Sequence, residues 1–149
     1  MLFLKSLLAF LLLPGIVAGL VPWLLAPEGS IRPFGWGWSV LLGGLGVLLW
    51  CVRDFYAAGK GTLAPWSPPE KLVVVGLYRY TRNPMYVGVL IMVLGWSLLT
   101  SYWLMTVYWL VLMAAFHLRV LYYEEPQMRK RFPEEWREYS GKVPRWIRV

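Results

Sequence analysis

Hydrophobic residues in this chain are grouped into four long runs instead of alternating with polar ones. A stretch of about 20 mainly apolar residues is the length that a helix needs to cross a lipid bilayer. The runs extend over Leu2–Leu25, Trp36–Val52, Met85–Leu99 and Tyr102–Tyr123. This pattern predicts an all-α, polytopic membrane protein with about four transmembrane helices.

The first two runs contain helix-breaking or small residues. The first run could instead be a cleaved signal peptide, but it is longer than the hydrophobic region of such a peptide. We therefore expect a retained helix, kinked by residues such as Pro14. In the second run, Gly43, Gly44 and Gly46 would let another helix approach closely.

The last two runs are separated only by the turn residues Thr100 and Ser101. Two helices joined by so short a turn must lie side by side and antiparallel, so the sequence predicts a tight helical hairpin. Between the second and third runs, residues 53–84 read as a long loop, and a loop of that length in a small protein is usually functional.

Residues 126–149 form a polar tail with a regular apolar pattern. Met128, Phe132, Trp136 and Tyr139 recur at spacings that place them on one helical face. Pro133 suits the first position of a second short helix in this tail. We expect an amphipathic cytosolic tail that lies on anionic membrane lipid.

Composition and charge agree with membrane insertion and set its direction. Hydrophobic residues make up 58% of the chain, charged residues only 15%, and the net charge is +7. Fourteen of the 15 Lys and Arg residues fall on the side shared by both termini and the long loop, which the positive-inside rule makes cytosolic. Because these residues flank apolar helices, we expect membrane lipid and no nucleic acid as a partner.

Several kinds of catalytic site are not supported by the sequence. Cys51 is the only cysteine and His117 the only histidine. The chain therefore has no internal disulfide and shows no pattern of metal ligands or of a nucleophile–base triad.

One candidate site is the segment from Gly76 to Gly88. Asn83 and Pro84 are a typical helix start, with Asn as the N-cap and Pro at the first helical position. The free N–H groups of that helix end, together with Arg82, would bind a carboxylate or a phosphate. The alternative is a belt of Arg and Tyr side chains that anchors the chain at the membrane interface.

The second candidate site is the pair Glu124 and Glu125 at the end of the fourth run. Adjacent carboxylates at the edge of a hydrocarbon layer could bind a cation or act as a base, because their burial is costly without a partner. Alternatively, they form a solvated helix end paired with Arg119 or Arg129. The hairpin would bring this pair next to the anion site. A ligand with a carboxylate and a positive centre, such as S-adenosylmethionine, would suit both.

These motifs resemble those of the isoprenylcysteine carboxyl methyltransferase and phospholipid methyltransferase families. The similarity covers about residues 70–146 and consists of Gly-Leu-Tyr, Arg-Asn-Pro-Met-Tyr, the hairpin, Glu-Glu-x-x-Met and the aromatic residues of the tail. It implies a single membrane-embedded methyltransferase domain over 1–149. Residues 1–60 would be its first two helices, and residues 61–149 its cofactor-binding loop, hairpin and tail.

The resemblance also implies roles for individual residues. S-adenosylmethionine would be the cofactor, and the acceptor would be a lipophilic molecule that arrives through the bilayer. The implied cofactor contacts are Lys71, Leu72, Val73, Tyr78, Arg82, Asn83, Pro84, Met85, Tyr86 and Glu125. Glu125 would face the positive end of the cofactor, and Arg119 is the nearest match to a substrate-contacting arginine. If the acceptor is an amine, Glu124 is the candidate catalytic base, whereas a carboxylate acceptor needs none.

The chain departs from the family pattern in two ways that bear on mechanism. Asn83 replaces the usual histidine, and an amide cannot carry a proton near neutral pH. Pro126 directly follows the glutamate pair and should bend the helix, because its ring clashes with the carbonyl of Tyr122. Two alternatives to a methyltransferase are an NADPH-dependent membrane reductase of the sterol reductase type and a non-enzymatic membrane scaffold.

Overall fold

The computed structural model describes residues 11–59 and 71–147. In these two ranges the chain forms helices and no strand, which confirms the all-α prediction. The first residues of the first apolar run, 2–10, and the middle of the predicted loop, 60–70, lie outside the described residues.

The helices follow the predicted runs in order. A π-helix, Leu11–Leu20, continues into a short α-helix, α1. The α-helices are α1, Val21–Leu25; α2, Trp36–Gly59; α3, Pro84–Thr100; α4, Trp103–Arg119; α5, Glu125–Arg131; and α6, Pro133–Lys142. A 3₁₀ turn, Gly76–Arg79, precedes α3, and a π-turn, Val120–Glu124, joins α4 to α5. Both α3 and α6 start at the predicted proline.

Helix α2 is longer than the apolar run that predicted it. The sequence placed a loop from residue 53 onward, but the helix continues to Gly59. Arg53 and Asp54 end the apolar run, yet neither breaks a helix, since only Gly and Pro carry a large helix penalty. Asp54 therefore belongs to the last turns of α2 instead of to a loop.

Glycine allows α2 to lie directly against α3. A Cβ atom on Gly44 would stand 2.6 Å from the backbone nitrogen of Met92, so any side chain there would force the helices apart. The prediction of a close helix approach is therefore confirmed for Gly44. At Gly43 and Gly46 a Cβ atom would meet no atom of the described residues within 4 Å, so neither glycine serves the contact with α3.

The N-terminal π-helix is tied to α3 and α4 by aromatic side chains. Trp96 Nε1 donates to the carbonyl of Ala18 at 2.9 Å, and Tyr108 Oη donates to the carbonyl of Val17 at 2.8 Å. Pro22 has no N–H, so it cannot donate to the carbonyl of Ala18 in α-helical spacing or to that of Val17 in π-helical spacing. In an apolar environment such carbonyls need other donors. The indole and the phenol supply them.

Helices α3 and α4 are connected by two residues. Ser101 takes a left-handed conformation, φ 50°, which ends α3, and α4 starts after Tyr102. Three side-chain contacts then join the helices. Their order is antiparallel, since the end of α3 contacts the start of α4, and the start of α3 contacts the end of α4. They are Ser97 with Thr106 at 2.8 Å, Trp109 Nε1 with the carbonyl of Leu90 at 2.8 Å, and the rings of Tyr86 and Phe116 at 4.5 Å.

Two helical segments of the described chain are long and apolar enough to cross a membrane by length and composition. They are Trp36–Asp54, with a mean hydropathy of 1.4, and Trp103–Arg131, with 1.7. In the 18-residue apolar stretch of each segment, only 22% and 11% of the residues are buried inside the protein. The core helix of a soluble protein, by contrast, is mostly buried. Large outward-facing apolar surfaces of this kind indicate association with a membrane.

The apolar face of the tail is covered by the protein itself. Trp136, Tyr139 and Val143 are buried in one cluster, against which Leu72, Met128 and Phe132 pack. The predicted common face is confirmed, but the expectation that it lies on lipid is wrong for the buried tail residues. Their partner from outside the tail is Leu72, in the segment that leads toward α3.

We expect the two neighbouring glycines of α2 to respond in opposite ways to the same substitution. Gly44→Ala should lower the free energy of unfolding by about 1–3 kcal/mol, because the added methyl group overpacks the contact with α3. Gly43→Ala should raise it by up to about 1 kcal/mol, because alanine favours a helix and meets no neighbour. Thermal unfolding of both variants in the same detergent measures the difference, and equal effects would contradict the packing.

Candidate active site

The C-terminal segment meets the residues that lead into α3. The N–H of Arg82 donates to the carbonyl of Pro144 at 3.0 Å. Thr81 Oγ1 and Asn83 Nδ2 both donate to the carbonyl of Arg145, at 3.1 and 2.9 Å. The predicted side-chain cap by Asn83 is wrong, because its amide is turned toward Arg145 and makes no capping hydrogen bond to α3.

Glu125 is held between two arginines. Its side chain receives two hydrogen bonds from Arg145, Nε to Oε1 at 2.7 Å and Nη2 to Oε2 at 2.8 Å. Arg82 Nη1 lies 3.0 Å from Oε1, and the Arg82 guanidinium covers the ring of Trp136 at 5.5 Å. Glu125 is only 8% exposed, so this carboxylate is buried with both oxygens paired.

The pKa values of the two arginines shift in opposite directions. The hydrogen bond to Glu125 raises the pKa of the Arg145 guanidinium. Burial lowers the pKa of Arg82, and the negative charge of Glu125 opposes that shift. Both side chains stay charged, because an arginine is not deprotonated in a protein near neutral pH. Arg82 Nε is buried and has no hydrogen-bond partner in the described part of the chain.

Glu124 belongs to a different group of side chains. Tyr86 Oη donates to Glu124 Oε1, and Arg119 Nε donates to the same oxygen at 2.9 Å and to Tyr86 Oη at 3.1 Å. The ring of Tyr86 packs on Phe116. The side chain of Glu124 is 30% exposed, so this carboxylate remains accessible. Of the two predicted partners for the glutamate pair, Arg119 is confirmed for Glu124.

The local helix geometry separates the two glutamates. Neighbours on a helix point about 100° apart, since one turn takes 3.6 residues. The π-turn Val120–Glu124 comes just before Glu125, whose N–H bonds to the carbonyl of Val120. Pro126 was predicted to bend the helix by clashing with Tyr122. The chain stays helical through Pro126, and the π-turn ends two residues before this proline, which has no N–H to donate. The bend itself stays a prediction.

The upstream segment of the predicted cofactor site connects two clusters. Leu72 packs against the tail cluster, while Val73 is buried with Cys51 and Tyr78. Lys71 is exposed. This segment is therefore fixed by its two apolar side chains, and Lys71 points into solvent.

Tyr78, Pro84 and Met85 are placed by packing. Tyr78 is buried, burial raises the pKa of its hydroxyl, and its carbonyl accepts a hydrogen bond from Tyr139 Oη at 2.7 Å. Pro84 is fully buried at the start of α3. Met85 packs against two buried clusters, one of Cys51, Val73 and Tyr78 and the other of Ala18, Leu48, Val89 and Val93. These three residues are therefore held by packing and support the segment that carries Arg82 and Asn83.

Two residues that sequence reasoning missed lie among these groups. Arg145 is the main partner of Glu125, but it is one of several basic residues in the tail, and nothing local distinguishes it. Asp54 lies against Gly76, where a Cβ atom would collide with Asp54 Oδ2. Its one sequence signal was its position as an acidic residue at the end of the second apolar run.

An apolar groove opens beside these polar groups. It has a volume of about 610 Å³ and lies between α3, α4 and the C-terminal segment. Its lining includes Leu90, Ile91, Met113, His117 and Trp146. Trp146 Nε1 donates to His117 Nδ1 at 3.1 Å, which closes the end of the groove near Arg145. The site thus combines a charged cluster with an adjoining hydrocarbon surface.

Comparison with known families identifies a family to which the chain is related. A family model described as phospholipid methyltransferase matches residues 36–135, two thirds of the 149-residue chain. The match begins at the first residue of α2 and ends within α6, so it covers α3, the glutamate pair and Arg119. A search of curated proteins finds no match. The resemblance inferred from the motifs is therefore confirmed.

We expect Glu125→Gln to destabilise the protein strongly. Without the carboxylate, Arg82 and Arg145 would face each other in a largely buried position, a change that costs about 3 kcal/mol or more. Chemical or thermal unfolding of the purified protein measures the loss. The control is Glu138→Gln, which removes a 71% exposed carboxylate paired with Lys142 and should leave stability unchanged. A loss no larger than that of the control would contradict the role given to Glu125.

Proposed function

Because the chain belongs to the phospholipid methyltransferase family, we propose that it transfers a methyl group from S-adenosylmethionine to a lipophilic acceptor at the cytosolic face of a membrane. The observation that carries the proposal is the position of Arg82, Tyr86 and Glu124 around the start of α3, beside the apolar groove. A water-soluble cofactor and a membrane-dissolved acceptor can approach such a site from different sides.

The proposed topology has four membrane spans with both termini in the cytosol. The two long segments would be complemented by two shorter apolar helices, Pro14–Leu25 and Pro84–Thr100. The 17 residues of the latter extend about 25 Å, close to the roughly 30 Å of a hydrocarbon core. In this topology α3 and α4 form the membrane hairpin, and the polar clusters lie at its cytosolic end.

The donors and acceptors at the start of α3 fit the amino-acid end of the cofactor. The first turn leaves the N–H groups of Met85 and Tyr86 without intrahelical acceptors, and Arg82 Nε is a buried donor without a partner in the described ranges. These groups suit a carboxylate. Glu124 offers a negative charge, and Tyr86 an aromatic ring, to a cationic centre nearby.

Glu125 takes a different role in this proposal from the one its motif implied. Both of its oxygens are paired with arginines, so it contributes by holding Arg82 and the C-terminal segment in place. Asn83 likewise acts by fixing Arg145. The backbone of residues 71–73 and the stretch containing Tyr78 would border the adenosine portion.

S-adenosylmethionine supplies an electrophilic methyl group, so the protein needs mainly to align the acceptor with it. An amine acceptor must lose a proton, and Glu124 is our candidate for the group that receives it. Tyr86 and Arg119 hold its Oε1 in place. For a carboxylate acceptor no base is needed, and Arg119 would then orient the negatively charged group.

The apolar groove is the proposed site for the hydrocarbon part of the acceptor. Its lining is almost entirely apolar and includes Val87 and His117. Val87 directly follows Tyr86, and His117 lies two residues before Arg119. A lipid acceptor whose hydrocarbon chain enters from the bilayer between α3 and α4 would place its head group near Glu124. Because the groove lacks charged residues, it favours a lipid over a water-soluble acceptor.

We expect the purified protein to transfer label from methyl-labelled S-adenosylmethionine to a component of a lipid extract. Glu124→Gln and Tyr86→Phe should each lower kcat/KM for an amine acceptor by about 10²-fold or more. The first variant removes the base, and the second removes the hydroxyl that holds the carboxylate of Glu124 in place. Glu138→Gln is the matched control, because Glu138 is exposed and is not among the residues that line the groove. Mass spectrometry of the labelled product identifies the acceptor.

Two other results would contradict the proposal. Binding of NADPH without label transfer would favour a membrane reductase. Binding of neither cofactor, together with full function of a Glu124→Gln variant in cells, would favour a non-enzymatic scaffold.

A further inference from the structure

Asp54 carries a buried oxygen atom without a hydrogen bond. Its Oδ2 has no partner among residues 11–59 and 71–147. In those ranges, ion pairs occupy Glu124, Glu125 and Glu138, and none reaches Asp54. Burying an uncompensated carboxylate oxygen costs free energy, so a protein retains one mainly where another group completes it.

The position of Asp54 relates this oxygen to the candidate active site. Gly76 lies against it in a left-handed conformation, φ 55°, and has two reasons to lack a side chain, since a Cβ atom would also collide with Oδ2. The same Cβ position is 3.2 Å from Trp50 Nε1. Gly76 begins the 3₁₀ turn that contains Tyr78 and leads toward Arg82. Asp54 therefore marks one end of this stretch, and the start of α3 marks the other.

The two ends of this stretch have complementary chemistry. Arg82 and the N–H groups at the start of α3 are hydrogen-bond donors, whereas Asp54 is an acceptor. S-adenosylmethionine has the matching order of groups, an acceptor carboxylate at its amino-acid end and a pair of donor hydroxyls on its ribose. A carboxylate accepts hydrogen bonds from two neighbouring hydroxyls, as the acidic residue of dinucleotide-binding folds does for a ribose.

We propose that Asp54 is a cofactor-binding residue that accepts hydrogen bonds from the ribose hydroxyls of S-adenosylmethionine. This inference rests on the proposed function and adds to it a contact from α2, outside every motif of the sequence. It explains why a carboxylate oxygen is buried at the end of α2 without a partner of its own. It also gives the Gly76 position a functional reason, because a side chain there would displace the carboxylate.

The test compares the full-length wild type, Asp54→Asn and the control Glu138→Gln in the same detergent. Isothermal titration measures their affinities for S-adenosylmethionine, S-adenosylhomocysteine and the 2′-deoxy analogue of S-adenosylhomocysteine. We expect Asp54→Asn to bind S-adenosylmethionine about tenfold more weakly, the loss of a charge-assisted hydrogen bond. The wild type should prefer S-adenosylhomocysteine to its deoxy analogue about tenfold, and Asp54→Asn should lose that preference.

The thermal unfolding of the ligand-free proteins separates this role from a structural one. Asp54→Asn should unfold at the same or a higher temperature than the wild type, since it removes a buried carboxylate oxygen that has no hydrogen-bond partner in the described residues. A lower unfolding temperature or a failure to fold would show that Asp54 supports the fold, and would overturn the inference.

The binding results distinguish a failure of the role given to Asp54 from a failure of the proposed function. Unchanged affinity in Asp54→Asn, or an unchanged preference for the ribose hydroxyl, would overturn the role of Asp54 and leave the proposed function standing. Absence of binding to the wild type would overturn both.

Discussion

The buried ion pair of Glu125 with Arg82 and Arg145 is the interaction on which the arrangement of the site depends. A carboxylate in so enclosed a position is stable only if both oxygens are satisfied, and the two guanidinium groups do this. They come from the segment before α3 and from the C-terminal segment. The pair therefore draws together three parts of the chain, and the hydrogen bonds from Thr81 and Asn83 to the Arg145 carbonyl add a second connection.

The same geometry divides two residues that the sequence presents as a pair. Glu125 points to the C-terminal segment and is closed off, whereas Glu124 points to Tyr86 and Arg119 and stays partly accessible. A ligand can reach Glu124 without breaking the ion pair of Glu125. The division between a structural and an accessible carboxylate follows from one helical step and from the π-turn before it.

Local patterns were predictable from the sequence, and long-range partners were not. The helix starts at Pro84 and Pro133 depend on neighbouring residues, and both were placed correctly. The turn predicted at Thr100 and Ser101 lies one residue later, at Ser101 and Tyr102, because Thr100 still belongs to α3. The common face of Trp136 and Tyr139 was also correct, because it follows from helical spacing. The surface that covers this face was not, because Leu72 lies more than 60 residues away and only the folded chain brings it there. Arg145 and Asp54 were missed for the same reason.

The C-terminal segment couples the charged cluster to the apolar groove. Arg145 binds Glu125 through its side chain, and the next residue, Trp146, lines the groove and donates to His117 on α4. Since an indole N–H can only donate, His117 must accept at Nδ1, which leaves its other nitrogen to carry the proton. One short segment thus fixes both the arginines near the start of α3 and the wall of the groove. A change that frees this segment would disturb the charged cluster and the hydrocarbon surface together, although they are built on different helices.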